Sequence, residues 1–417
     1  MQICGMETKD IFTLALGLQE PWHVAKVSFV ATEGSSKELH LWLEFSKGAK
    51  FSINGSPRQT AYDTIDKTWR HLNFFQYRCY LHAKVPRIRT GEHSIEMVEV
   101  PWARPESGFT MLFEALVMLL SEQEMPMNGI SKILFESAPR LWRVFCYWVK
   151  KGVKKIDMSA VKRIGVDETS KRKGHNYVTH FVDLDTRKTI FVTEGKDAST
   201  FDRFRNELLQ RGGKVENIEA VSMDMSPAFI AGATKNFPNA GIVFDKFHIF
   251  KALNEALDQV RKMEHNDTKL LKGHRFTLLY SHKNLSEKQK SELDTLLMTY
   301  PTIGKAYGFR ESFYDIFDTK MPLENTPKEH LERWCKLVIE SKIEPMVRFA
   351  YMVKSHLFGI ETLLKDRRTN NGILEGLNSL IQLAKKRARG YANIENFKHM
   401  IYFVTGGLQL DYPHEML

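Results

Sequence analysis

Residues Val161–Thr193 read VKRIGVDETSKRKGHNYVTHFVDLDTRKTIFVT, and they decide the fold that we predict for the middle of the chain. Val161–Val166 is a mainly apolar strand that ends at Asp167, whereas Tyr177–Leu184 and Thr189–Thr193 are two further strands separated by a short polar turn. Three consecutive strands with a hairpin-like connection predict a β-meander.

Strands and helices alternate after the meander. The predicted elements are the helix Thr200–Gln210, the strand Ile218–Met223 ending at Asp224, the helix Pro227–Asn236 and the strand Gly241–Phe244 ending at Asp245. A doubly wound sheet would alternate from its first strand, but a meander followed by strand-helix units is the order of a ribonuclease-H-like core. We therefore predict a multi-domain α/β protein in which residues 161–250 form the first part of such a core.

The first 108 residues have a different pattern, rich in short strands. Val27–Ala31 and Leu41–Phe45 are β-type runs, and Ser52–Pro57 (SINGSP) contains the Asn-Gly pair that favours a tight turn. Pro101–Gly108 (PWARPESG) carries two prolines and a glycine, and it is predicted to be a linker. We expect residues 1–108 to form a small N-terminal module.

Residues 109–160 have helical periodicity. They predict helices over Phe109–Ser121, Asn128–Phe135 and Arg140–Lys151, and a short helix, a tight turn and a basic helix are the outline of a helix-turn-helix. A plain three-helix bundle is the alternative that the pattern alone leaves open. The basic side chains that favour DNA, and that we predict to contact it, are Arg140, Arg143, Lys150 and Lys151.

The rest of the chain is predicted to be helical. Residues 251–365 are charged and helical without convincing strands, and they predict an α-helical insertion. Residues 366–417 are expected to return to the core. There Asn370–Gly372 interrupts the pattern, and Ile373–Arg389 follows as a long helix that Gly390 ends.

The composition narrows the class of protein. The 417 residues carry 60 Lys and Arg against 50 Asp and Glu, a net charge of +10, and the isoelectric point is about 9.2. This excess suits a polyanionic partner, although it equally suits a basic protein without one. Four widely spaced cysteines without a C-x-x-C pair argue against a disulfide framework. No apolar run reaches the roughly 18 residues of a membrane span and no signal-peptide pattern is present, so we expect a cytoplasmic protein.

Three acids are the candidate catalytic residues. Asp167 and Asp224 each follow a strand, and their carboxylates converge if those strands are neighbours. Two close carboxylates repel each other and need a cation to stay ionised, and such oxygen ligands suit Mg²⁺ or Mn²⁺. Glu375, in the first turn of its helix, is the candidate third ligand of a two-ion site. An acid near a helix N-terminus is, however, also typical of an ordinary solvated helix.

Other polar residues compete for places around the same site. Glu168 should point away from Asp167 if the strand continues. Asp245 and His248 (FDKFH) follow the fifth strand on the same edge, where they either surround the metal ligands or form an ordinary polar strand end. Asn378 lies one turn after Glu375 on the same helical face.

Four ordered blocks of this sequence resemble the ISL-three family of bacterial insertion-sequence transposases. They are Ile164–Tyr177 (IGVDETSKRKGHNY), Met223–Phe229 (MDMSPAF), Phe237–His248 (FPNAGIVFDKFH) and Leu374–Tyr391 (LEGLNSLIQLAKKRARGY). Thr68–Phe75 (TWRHLNFF) and Val98–Ala103 (VEVPWA) resemble the amino-terminal region of that family. The likeness runs in order over nearly the whole chain.

The resemblance implies a DDE transposase with a ribonuclease-H-like core, in which Asp167, Asp224 and Glu375 are the catalytic acids and the metal ligands. It implies a helical insertion before the third acid and a helix-turn-helix that recognises the terminal inverted repeats of the element. Because transposition joins two ends, at least a homodimer on DNA is expected, associated with the bacterial nucleoid. Basic residues near the acids are expected to hold phosphates of the repeat or target DNA: Lys171, Arg172, Lys173, Lys385, Lys386, Arg387 and Arg389.

The sequence departs from the family in its N-terminal module. Members typically carry paired zinc-binding cysteines, but the first pair is replaced by Ser52–Gly55 and the second falls near Thr90–His93, where only His93 is a possible ligand. A structural zinc site needs four ligands, so we predict no zinc. Aromatic residues are expected to stabilise the module by burial instead: Trp69, Phe74, Phe75, Tyr77 and Tyr80.

The sequence leaves three functions to compare. The first is a transposase that cleaves DNA at the element ends and joins the 3′-hydroxyls to target DNA. The second is a non-catalytic, transposase-derived DNA-binding regulator, which the missing zinc ligands favour and the intact acids oppose. The third is a structure-specific nuclease without strand transfer.

Overall fold

The chain forms two compact units in the computed structural model. The structure describes residues 7–31, 37–91, 94–172, 175–268, 275–280, 282–318, 326–365 and 372–413. The first unit comprises Met1–Lys154 with Gln409–Leu417, and the second comprises Lys155–Leu408. The finer division into five segments remains a prediction. No helix in the described ranges combines the length and the apolar character needed to cross a bilayer.

The first unit combines a sheet with four helices in its described residues. The strands are β1 (Trp22–Ala31), β2 (Lys37–Phe45), β3 (Lys50–Phe51), β4 (Gln59–Thr60), β5 (Asp63–Phe74), β6 (Tyr77–Arg89) and β7 (Ile95–Met97). The helices are α1 (Thr8–Ala15), α2 (Met111–Glu122), α3 (Met127–Leu134) and α4 (Ala138–Val153). The main sheet has the order β1-β2-β6-β5, with β7 on β6, and only the β2–β6 pair is parallel.

Alternating apolar residues of this sheet build the core of the first unit. Leu39, Leu41 and Leu81 are completely buried because they share the covered face of the sheet. Trp102 packs edge-on against Trp22 and Trp69, with ring centroids 4.9 and 5.6 Å apart. Tryptophans from three distant positions therefore form the centre of this core.

The predicted aromatic core was only partly right. Trp69 is buried and Tyr77 and Tyr80 are partly buried, but Phe74 and Phe75 are 37% and 80% exposed. The two phenylalanines lie at the tip of the β5–β6 hairpin, where Phe12 of α1 contacts Phe74 and Phe75 stays exposed.

The predicted linker Pro101–Gly108 is also corrected. Trp102 and Ala103 belong to the buried core, and the Arg70 N–H donates to the Gly108 carbonyl over 2.9 Å. The apolar side chains of this segment outweigh its prolines, so the chain is packed against the sheet.

The turn predicted from Asn54 and Gly55 is confirmed. It connects β3 to β4, and the two residues have φ angles of 49° and 80°, the left-handed conformation that Asn-Gly favours. The resemblance to the ISL-three family predicts the first cysteine pair at these positions. The absence of zinc remains a prediction, and His93 lies outside the described residues.

The three helices predicted over 109–160 are present, with slightly shifted ends. Phe135, at φ 51°, ends α3 and begins the turn to α4. The buried Glu114 carboxylate of α2 accepts hydrogen bonds of 2.9 Å from Arg104 and 2.8 Å from the Trp148 indole of α4. An unpaired charge would be costly to bury. Because the Glu114 carboxylate is paired with both donors, it links α2 to α4.

The second unit contains the predicted meander and strand-helix units. Its strands are β8 (Arg163–Arg172), β9 (His175–Asp183), β10 (Lys188–Glu194), β11 (Ala220–Met223) and β12 (Gly241–Phe244). They form one sheet in the order β10-β9-β8-β11-β12. The prediction that the first strand ends at Asp167 was wrong, because β8 continues through Asp167 to Arg172 while pairing with β9. The meander strands pair antiparallel, whereas β8, β11 and β12 run parallel.

Helices surround this sheet and extend beyond it. They are α5 (Ser199–Gln210), α6 (Pro227–Asn236), α7 (Lys246–Thr268), α8 (Arg275–Leu279), α9 (Glu287–Thr299), α10 (Pro301–Ile316), α11 (Pro327–Glu340), α12 (Glu344–Ser355), α13 (Leu357–Lys365), α14 (Gly372–Arg387) and α15 (Ile394–Thr405). The helical pattern predicted after Phe247 corresponds to α7–α13. On one face of the sheet, Phe181 stacks on Phe204 of α5 at 4.2 Å.

Helix α14 covers the opposite face beside β8. Leu374 packs with Val182 and Leu184. It also lies directly over Gly165, where a Cβ would come within 2.9 Å of a Leu374 methyl. The helix approaches the strand closely because Gly165 has no side chain.

We predict that Gly165→Val weakens this contact. The added carbons would meet Leu374 and also a Leu184 methyl 2.8 Å from the Cβ position, and such overpacking costs about 1–3 kcal/mol. Gly376→Ala on α14 is the matched control. Its Cβ would meet nothing within 4 Å, and Ala should stabilise the helix by about 1 kcal/mol. Urea unfolding of both variants tests this prediction. Equal denaturation midpoints for Gly165→Val and Gly376→Ala would contradict the close packing.

His180 is an unusual member of the same sheet. It is completely buried, and both ring nitrogens lack a hydrogen-bond partner among the described residues. Burial lowers the pKa of this histidine from 6.5 to about 4. His180 is therefore protonated below about pH 6.5 in the unfolded chain but only below about pH 4 in the folded chain. Its contribution to the free energy of unfolding falls as the pH drops through that window.

We predict that His180→Leu removes this pH dependence. At pH 7 the variant should be as stable as the parent or more stable, because two unpaired polar atoms leave the core. Between pH 7 and pH 5 the parent should lose about 2 kcal/mol more than the variant. All other titrating groups are common to both chains, so the difference between their denaturation curves isolates His180. A difference that does not change with pH would refute the assignment.

Candidate active site

Three aspartates occupy one row across three adjacent parallel strands. The pairs Ser222–Gly165 and Met223–Phe244 set the register of β11 with β8 and with β12. Continuing that register places Asp224 beside Asp167 and Asp245 beside Asp224. Neighbouring strands lie about 4.8 Å apart, so the parallel pairing gathers acids that are far apart in sequence.

Asp167 is held on both of its carboxylate oxygens. The Glu168 N–H donates to Oδ1 over 2.7 Å, and the Asn378 amide of α14 donates to Oδ2. Burial raises the pKa of the Asp167 carboxyl, and these two donors lower it in part. The Asn378 Oδ1 atom is buried and has no partner among the described residues, so an acceptor oxygen is left beside the aspartate.

Asp224 occupies a similar environment at the end of β11. The Ser226 N–H donates to its Oδ1 over 3.0 Å. Burial raises the pKa of this carboxyl most, and the negative charge of Asp167 raises it further. The two acids are therefore electrostatically coupled.

Asp245 and His248 lie next to this pair. Asp245 is buried, accepts a 2.8 Å hydrogen bond from the Phe247 N–H, and has its Oδ2 3.6 Å from the His248 Nδ1. When protonated, His248 lowers the pKa of both Asp167 and Asp224. The histidine thus lies within electrostatic reach of both acids.

Glu168 is closer to the site than strand alternation suggests. Burial raises the pKa of its carboxyl, Lys196 lowers it, and Asp224 raises it. Pattern reasoning missed Lys196, which also acts on Asp224 and lies 3.9 Å over the Tyr177 ring. The one feature of the sequence that could have indicated Lys196 is its position two residues after β10.

Glu375 is exposed on the first turn of α14. Further along the helix, Asn378 reaches Asp167, Gln382 donates to the Thr169 hydroxyl over 3.1 Å, and Lys385 donates to the Ser170 carbonyl. Glu375 is one turn before this series. Within the described ranges, no three side chains of the His, Cys, Asp and Glu types are close enough to hold a metal ion. The role of Glu375 remains a prediction.

The predicted DNA contacts differ in their surroundings. Arg143, Lys150, Lys386 and Arg389 are exposed. Others already bind the protein: Arg140 pairs with Glu136 at 2.7 Å, and Lys171 donates to the Ala392 carbonyl over 2.8 Å. Lys151 lies 3.8 Å from Asp411, and Arg387 is exposed. Of Arg172 only the backbone is described, and Lys173 lies outside the described residues.

Comparison with known proteins identifies both functional regions. Residues 164–401 match the DDE transposase domain of the ISL3 type, and residues 98–149 match the helix-turn-helix domain of transposase family ISL3. The chain is 27% identical over 361 residues to the transposase for insertion sequence element IS1557 of Mycobacterium tuberculosis, which covers 78% of each chain. It is also 27% identical over 358 residues to the transposase for IS1001 of Bordetella parapertussis, covering 82% of this chain and 85% of the relative.

These matches agree with the architecture. The helix-turn-helix match contains α2 and α3 and most of α4, and the transposase match begins within β8 and ends in α15. The aspartate row lies inside the second match. Because that match covers more than half of the sequence, the chain belongs to the ISL3 family of insertion-sequence transposases.

Proposed function

We propose that this protein binds the terminal inverted repeats of an insertion sequence, cleaves DNA at the element ends and joins the freed 3′-hydroxyls to target DNA. The observation that carries the proposal is the alignment of Asp167 with Asp224 on adjacent parallel strands. The strand order of the second unit supports a ribonuclease-H-like core as the scaffold of this chemistry.

A divalent cation suits the aspartate pair. Burial and mutual repulsion both disfavour the ionised carboxylates, and a cation between them would relieve that cost. The unpaired acceptor oxygen of Asn378 adds to this oxygen-rich surface. The proposed ligands of two Mg²⁺ or Mn²⁺ ions are Asp167, Asp224 and Glu375. When bound, such ions stabilise the charge that develops during phosphoryl transfer and activate a water or hydroxyl nucleophile.

The surrounding residues would position the acids and the DNA. Asn378 fixes the orientation of the Asp167 carboxylate, because its amide donates to Oδ2. Asp245 and His248 extend the polar row, and Lys196 brings a positive charge near Asp224. Lys386, Arg387 and Arg389, at the end of the helix that carries Glu375, are proposed phosphate contacts. Joining two element ends requires at least two copies of the chain on DNA.

We predict that Asp224→Asn abolishes strand cleavage without abolishing DNA binding. The amide keeps the shape of the side chain but loses the charge that a cation needs. The measurement is Mn²⁺-dependent cleavage of a terminal-repeat duplex, with binding followed by gel shift.

Asp202→Asn is the matched control for that experiment. Asp202 pairs with Lys235 on the surface at 2.9 Å, and exposed pairs contribute little to stability, so cleavage should persist. If the parent binds the repeat and does not cut it, the chain is instead a non-catalytic regulator. If it cuts but fails to join pre-cut ends to target DNA, it is a nuclease without strand transfer.

We predict that Arg143→Ala weakens DNA binding through α4. Arg143 is exposed on the second helix of the motif, and the loss of one phosphate contact should reduce the slope of log affinity against log salt by about 1. Arg348→Ala is the control, because Arg348 is equally basic but pairs with Glu344 on α12 at 2.7 Å. Equal salt slopes for the parent and Arg143→Ala would exclude this residue from the interface.

A further inference from the structure

The tip of the β5–β6 hairpin exposes two aromatic rings. Phe75 is 80% exposed and Phe74 37%, and their centroids lie 4.8 Å apart in an edge-to-face contact. Phe12 of α1 packs behind Phe74 at 5.3 Å. The Phe75 ring therefore projects from the unit, while Phe74 packs against it and Phe12 packs against Phe74.

The backbone at this tip is unfavourable for the residue it carries. Phe75 has a φ of 51°, in the left-handed region that suits Gly or Asn and costs a bulky side chain roughly 1–2 kcal/mol. The sequence thus accepts both a strained backbone and an exposed aromatic ring at one position. Neither feature helps folding, so the tip is a candidate for binding a partner.

The tip is also held rigidly. Arg70 is only 2% exposed, and its guanidinium donates to the His71 carbonyl, the Asn73 side chain and, over 3.1 Å, the Cys79 carbonyl. One buried cation therefore joins the two strands just below the tip. A partner would meet a preformed aromatic projection, with little entropy lost on ordering it.

The same hairpin is attached to the helix-turn-helix. The Thr110 N–H, at the cap of α2, donates to the Arg70 carbonyl over 3.0 Å, and the Arg70 guanidinium lies 5.3 Å from the Phe113 ring. Arg78 of β6, whose Nη1 is 3.7 Å from Glu38, lies 5.8 Å from the ring of Phe135 at the turn before α4. The hairpin therefore flanks the turn of the DNA-binding motif.

We propose that Phe75, supported by Phe74, is a wedge that inserts between base pairs of the DNA held by the helix-turn-helix. This inference rests on the proposed binding of terminal-repeat DNA. Apolar side chains that enter a base step unstack and kink the duplex at a cost of a few kcal/mol, which the additional protein contacts offset. Pyrimidine–purine steps unstack most easily, so the wedge should favour such a step beside the α4 contact.

The size of the tip favours DNA over a second protein molecule. A stable protein interface buries about 800 Å² on each partner, far more than two projecting rings supply. A base step, in contrast, accepts a single aromatic ring.

The test uses the full chain and a duplex of the inverted repeat that flanks its gene, with 2-aminopurine placed at successive positions. Binding of the parent should raise the fluorescence at one step, because unstacking relieves quenching. Phe75→Asn should abolish that signal and weaken binding about tenfold. Its thermal midpoint should be unchanged or higher, because Asn accepts the left-handed backbone. Phe75→Trp should restore the signal.

Two control variants separate the possible failures. Met298→Asn replaces another apolar residue, 82% exposed in the second unit, and should behave as the parent. If the parent does not bind the duplex, or Arg143→Ala leaves binding intact, the assignment of the helix-turn-helix contact fails. If that contact holds and no 2-aminopurine position brightens, the wedge alone is overturned. If Phe75→Asn instead reduces self-association in sedimentation, the tip contacts a second copy of the chain.

Discussion

The parallel register of β8, β11 and β12 is the constraint on which the proposed chemistry depends. It places Asp167, Asp224 and Asp245 in one row, and it does so through backbone hydrogen bonds rather than through the acids themselves. The acids repel each other and are partly buried, so they oppose the arrangement that the strands impose. A one-residue slip of β11 would turn Asp224 to the other face of the sheet, where α5 and α6 pack.

Helix α14 completes the candidate site beside that row. Gly165 lets Leu374 approach the sheet, and the polar series from Asn378 to Lys385 follows the same strand. Both interactions are needed. The apolar contact sets the distance between helix and strand, whereas the directional Asn378–Asp167 hydrogen bond sets the rotation of α14 about its axis. The exposed Glu375 lies one turn before this series, so the position of this proposed third metal ligand depends on the docking of the whole helix.

In the first unit, buried charges hold the DNA-binding motif. Glu114 joins α2 to α4, and Arg70 joins the β5–β6 hairpin to its own tip and to the cap of α2. Such groups are expensive to bury, and each is surrounded by several hydrogen-bond partners.

The local patterns were sufficient for most strands and helices of the second unit and for the order of the meander, because periodicity and turn chemistry act over a few residues. They missed α1 and β5 of the first unit. They also indicated Asp167 and Asp224, since each acid directly follows an apolar run, although only Asp224 lies at the end of its strand. Packing decided the rest. The linker-like Pro101–Gly108 is packed through Trp102, and Phe75, which was expected in the core, is exposed. His180 lies opposite Asp167 only because β9 pairs with β8, and Lys196 comes near the acids only because β10 pairs with β9. Sequence alone indicated most of the elements and the acids proposed to act together, while tertiary structure decided which side chains meet. Burial and long-range contact depend on strands and helices that the chain brings together from distant positions.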